Sequence, residues 1–161
     1  MNTRYKLLEP DMTSYQGFLW ETGKTYNSGG KGALGGPGWF YCHSTPQVSV
    51  LLNPIRANRK GTQLWSCDAS GTTSDLKGVK QGWQKVTLLK QIPKPTFTIK
   101  QILTFGYKCL SAIKGEYLRE LDQLSKSDDH DYVHYSVAQL IIQAAYHEEF
   151  NVDIRNIADN L

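Results

Sequence analysis

Residues 85–113 read KVTLLKQIPKPTFTIKQILTFGYKCLSAI, and a change of rhythm inside them decides the fold. Lys85–Lys90 has the apolar and β-branched character of a strand. Ile92-Pro93-Lys94-Pro95 follows as extended linker, because a proline pushes the residue before it out of the helical region. Beyond it the period becomes helical. Thr98 can cap, and Ile99, Ile102, Leu103, Tyr107, Leu110 and Ile113 recur at steps of three and four, which is one apolar face.

Downstream the helical period continues. Tyr117, Leu118, Leu121 and Leu124 repeat it across Gly115, and Ser127–Asp131 is a polar break. Tyr132–Glu149 reads as a second long helix with Val133, Val137, Leu140, Ile141, Ala144 and Ala145 inward. Asp153–Leu161 reads as a short last helix. Upstream the chemistry is that of strands and turns: 12 of the 14 glycines, all four tryptophans and all six prolines lie in residues 1–95. Strands are expected at Arg4–Leu8, Gly17–Trp20, Trp39–His43, Gln63–Cys67 and Lys85–Lys90. Asn27–Gly38 holds six glycines in twelve residues and reads as a surface loop. Ser44-Thr45-Pro46 opens a short helix over Gln47–Leu52, stopped by Asn53-Pro54. Asp68–Leu76, rich in Ser, Thr and Gly, reads as a second loop.

These elements give an α+β chain: a small twisted antiparallel sheet with one short helix, then a C-terminal helical hairpin. Residues 1–95 form a β-rich basic module. Residues 96–161 form an acidic helical region packed on it or on a second copy. The chain has 161 residues, 40% hydrophobic and 20% charged, enough to bury a core without disulfide or metal staples. No run of 18 apolar residues occurs, which excludes a membrane-spanning helix. The opening residues have no leader-like apolar region, so a cytoplasmic location is expected. The net charge of +3 divides unevenly. Residues 1–95 carry 12 Lys/Arg against 5 Asp/Glu, and residues 96–161 carry 6 against 10. Attraction between copies through the helical tail, giving a homo-oligomer, is one consequence. The inward positions of Tyr132–Leu161 are the expected contact.

Tyr5-Lys6-Leu7-Leu8-Glu9-Pro10-Asp11-Met12-Thr13, Gly17-Phe18, Gly23-Lys24-Thr25-Tyr26 and Gly38-Trp39-Phe40-Tyr41-Cys42 together resemble an uncharacterised domain of tailed-phage and prophage accessory proteins. The likeness continues through Leu64-Trp65-Ser66-Cys67-Asp68, Lys77-Gly78 and Lys85-Val86-Thr87. Trp39 and Tyr41 depart from that family, which often has Phe and His or Phe there. The resemblance implies a phage origin, action in the host cytoplasm and no catalytic residues to carry over. A role against a host defence is the natural expectation for such a protein.

Residue chemistry points more to binding than to catalysis. The glycines of Asn27–Gly38 lack the spacing of a phosphate loop, although a flexible loop could close on a ligand. Cys42, Cys67 and Cys109 have neither disulfide nor zinc spacing, and Ser44 and Ser66 lack a nucleophile elbow. His130 and His134 share a helix turn, but supply two metal ligands at most. No metal and no cofactor is expected. Aromatic residues interleaved with cations suit an anionic ligand, nucleotide or nucleic acid, by stacking and charge. The expected binding residues are Arg56, Arg59, Lys60, Trp39, Tyr41, Lys24 and Lys31, with Arg56–Gly61, the densest basic run, as the main partner contact; a merely solvated face is the competing reading of that run. A host protein is the other expected partner. An alternative comes from Gly38–Pro46, which looks like the central segment of ADP-ribosyltransferase folds. Activity of that kind requires an acidic residue in a pocket beside the Trp39–Cys42 strand.

Overall fold

The computed structural model describes residues 1–161. It is an α+β fold with five antiparallel strands and six helices. The strands are β1 (Thr3–Leu8), β2 (Thr25–Asn27), β3 (Phe40–Cys42), β4 (Gln63–Leu76) and β5 (Lys80–Ile92). The helices are α1 (Pro46–Leu51), α2 (Pro54–Ala57), α3 (Ile99–Leu110), α4 (Gly115–Leu124), α5 (His130–His147) and α6 (Ile154–Asp159). β5 is the backbone of the sheet. It pairs with β4 along one edge and with both β2 and β3 along the other, and β1 adds to β4. The sheet curls until Tyr5 and His43 exchange backbone hydrogen bonds of 2.9 and 2.8 Å, which ties β3 back to β1.

The β4–β5 hairpin corrects the reading of Asp68–Leu76 as a loop. Its polar residues pair with Lys80–Thr87 across bulges, and composition does not count in a ladder held by backbone groups. The turn explains the register. Lys77 (φ 50°) and Gly78 (φ 79°) both adopt the left-handed conformation of the primed hairpin turns, whose twist matches that of the strands. Gly17–Trp20 also departs from expectation. Tyr15–Gly17 is a 3-10 turn, and only Thr13 and Leu19 form a bridge.

The helical half follows the sequence closely. Thr98 and Gln101 form a reciprocal capping box at α3, and Thr45 caps α1 ahead of Pro46. Twenty buried residues form the main core, drawn from α1, α3, α4, α5, α6 and their neighbours. Val48, Leu51, Leu52 and Val79 belong to it, so the two compositional parts share one interior within one chain. Val133, Val137, Leu140, Ile141, Ala144 and Ile154, expected at a contact between copies, are covered here by the chain's own helices. A second cluster of eight residues fills the curl of the sheet, and a third of four joins the sheet to α1 and α2. No helix is long and apolar enough to cross a membrane.

Candidate functional site

The glycine-rich segment before β3 is pinned at several points. Trp39 Nε1 donates to the Gly32 carbonyl at 3.0 Å. Tyr41 Oη accepts from the Gly35 N–H at 2.6 Å and donates to the Gly36 carbonyl at 3.0 Å. The Gly30 N–H and the Ser28 hydroxyl both reach the Gly38 carbonyl, at 3.0 and 2.8 Å. At Gly38 a Cβ would lie 1.8 Å from the Lys31 carbonyl oxygen, so only glycine lets the strands of the loop approach this closely.

The pinned loop helps enclose a cleft of about 440 Å³. Gly35, Gly36 and Pro37 meet Tyr15, Gln16 and Phe18 of the 3-10 turn, β3 residues Phe40 and Tyr41 with neighbouring Trp39 and His43, and Lys6, Asn53 and Arg56. That volume suits a small organic ligand. The lining has aromatic faces, two cationic side chains and no carboxylate.

Lys6 sits on the inward face of β1 and is only 8% exposed. Its Nζ donates to the Tyr41 carbonyl at 2.8 Å and lies 5.2 Å from the Trp20 ring. No carboxylate pairs with it, and burial pushes its pKa down. His43 is held neutral, its pKa driven down to about 4 by burial and by the nearby Lys6 and Lys80 charges. Burial likewise pushes Lys80 down, and its ammonium rests 4.7 Å from the Tyr41 ring. Arg56 uses only Nε, toward Glu9 at 3.1 Å, so its terminal nitrogens keep their donors for the cleft. Gln16 in the lining holds φ at 57°, a left-handed conformation rare outside glycine.

The expected binding residues divide. Trp39, Tyr41 and Arg56 converge on the cleft. Lys24 does not: it pairs with Glu21 at 3.1 Å and lies over the Tyr26 ring. Lys31 is exposed on the glycine loop and Lys60 on the turn after α2. The run Arg56–Gly61 is not a simple solvated patch, because Arg56 and Arg59 both grip Glu9, at 3.1 and 2.7 Å. Sequence reasoning missed Lys6, His43, Asn53 and Tyr15. One signal was present: Lys6 alternates with Leu8 on a strand, which puts a lysine on the inward face.

The other candidates are absorbed by structure. His130 Nε2 meets the Phe97 carbonyl at 2.8 Å, and His134 is buried between Asn58 and the Leu51 carbonyl. No group of three or more His, Cys, Asp or Glu gathers to hold a metal ion. The three cysteines are buried and free. The acidic residue that an ADP-ribosyltransferase-like site requires is missing from the cleft lining. No family model, curated protein or solved structure matches the chain, so the likeness to phage accessory proteins rests on the residues quoted above.

Proposed function

We propose that this protein is a non-enzymatic binding module that takes a small anionic ligand with a planar ring, such as a mononucleotide, into the Tyr41–Lys6 cleft. Buried Lys6 carries the reading. An ammonium without a carboxylate partner inside a small sheet opposes folding, and a core methionine would fill the same space. An anion supplies the missing counter-charge. Arg56 offers a fork suited to phosphate or carboxylate, and the Tyr15, Phe40 and Tyr41 rings offer faces for stacking. On the phage resemblance, the protein acts in the host cytoplasm as a phage-encoded accessory protein that withdraws such a ligand from a host defence.

Titration of mononucleotides, inorganic phosphate and short single-stranded oligonucleotides, followed by tryptophan fluorescence, tests the binding step. Saturable quenching by a mononucleotide is expected, with weaker binding of phosphate alone. In Lys6→Met the affinity should fall at least tenfold while the protein stays folded. Failure of every anion to bind, or undiminished binding by Lys6→Met, overturns the reading.

A further inference from the structure

Lys6 stands apart from the exposed lysines of the chain. It is buried on the inward face of the curled sheet, yet it lines the cleft together with Arg56 and His43. The Tyr41 carbonyl accepts one N–H from its Nζ at 2.8 Å, and that carbonyl belongs to a residue of the same lining. Burial holds the Lys6 pKa below the ordinary lysine range, with the Arg56 charge adding to the effect and Cys42 and Cys67 opposing it. A desolvated amine beside a second cation is the form of lysine that attacks carbonyl groups.

We propose that Lys6 holds a carbonyl-bearing ligand covalently, as an imine, while Arg56 grips that ligand's carboxylate or phosphate. The proposal rests on the reading of the cleft as an anion site and narrows the ligand class to a planar aldehyde or ketone that carries an anionic group. The Nζ lone pair attacks the carbonyl carbon, and the π pair of the C=O bond moves onto oxygen. Both amine hydrogens pass to that oxygen, which departs as water while the C=N bond closes. His43, neutral and in the same lining, can carry these protons. Nothing is oxidised or reduced, and water reverses the bond, so the ligand is held rather than turned over. The imine nitrogen can itself take up a proton, which keeps a cation beside the anion. Phe40 and Tyr41 offer faces to the planar part.

The probe is 4-formylbenzoate with cyanoborohydride, a hydride donor that reduces an imine to a stable secondary amine, applied to the unaltered chain near neutral pH. Peptide mass mapping should show Lys6 modified about tenfold faster than the exposed Lys31 and Lys60 in the same digest. Benzaldehyde, which lacks the anion, should modify Lys6 about tenfold more slowly than 4-formylbenzoate does, and Arg56→Gln should bring the two aldehydes to equal rates. Modification of Lys6 no faster than that of Lys31 and Lys60 overturns the imine, and a preference for the anionic aldehyde that survives Arg56→Gln overturns the role of Arg56. Mononucleotide quenching on the same preparation keeps the two readings apart. Quenching without Lys6 modification sinks the imine alone, whereas Lys6 modification without quenching sinks the mononucleotide and supports the imine.

Discussion

Among the helices, twenty hydrophobic residues are buried together, and the buried polar side chains beside them are bonded: His134 through both ring nitrogens, Ser49 to the Tyr5 carbonyl and Thr45 as the cap of α1. Inside the curled sheet, the cluster has only eight buried residues, Cys42 and Cys67 among them, and shares its space with Lys6. The sheet also holds three polar atoms buried without a partner: Arg4 Nε, Gln81 Oε1 and Trp83 Nε1. Each such atom costs on the order of 1–3 kcal/mol. The helical interior therefore holds the chain together, while the sheet interior carries polar groups that cost stability. Breaking the two interiors separately should give opposite results.

The most severe break is truncation after Lys126. It removes nine of the twenty core residues, from Val133 to Ala158. An unfolded or insoluble product is expected by circular dichroism, since the loss exceeds the stability of an ordinary domain. A folded monomer would mean that the sheet is the stable half. Within the helices, Ile141→Ala should lower the unfolding free energy by about 2–5 kcal/mol in a denaturant titration.

The sheet answers to acid instead. His43 has its pKa depressed from 6.5 to about 4, so the unfolded chain binds the extra proton between those values. Its contribution is complete above pH 6.5 and is lost as pH falls toward 4, roughly 3 kcal/mol in all. His43→Gln should flatten that limb of the stability profile, and an unchanged slope would locate the acid sensitivity elsewhere, with His134 next in line. Smaller again is Glu9→Gln, expected to cost about 1 kcal/mol by loosening two arginines while strengthening anion binding as Arg56 is released. Smallest is Lys6→Met, whose thermal midpoint should hold steady or rise. A clear fall would make Lys6 a structural residue and weaken the contrast.

The helical half was legible because its period survives tertiary contact. Thr98, Ile102 and Val137 stand where spacing put them, within a residue or two at each helix end. The sheet was less legible for two physical reasons. Ser70–Ser74 pairs through backbone groups that composition does not reveal, and Phe18 and Leu19, apolar as a strand should be, belong to a turn built on Gln16. Of the site, Trp39, Tyr41 and Arg56 were readable as aromatic and basic residues near a loop. Lys6 carried only the alternation with Leu8 and His43 carried no signal, because their importance comes from what surrounds them, and residues 6 and 43 meet only when the sheet curls.

Helix α1 touches α6 across more than a hundred residues of chain, and Val48, Leu51 and Leu52 share one core with α3–α6. During synthesis α1 emerges early, and the face carrying Val48, Leu51 and Leu52 completes its core only when the last helices are made. Contacts so distant in sequence slow folding, and an uncovered face is a point of aggregation or chaperone capture in the interval. The emerging chain is thus most vulnerable in its first half, the half that carries the cleft.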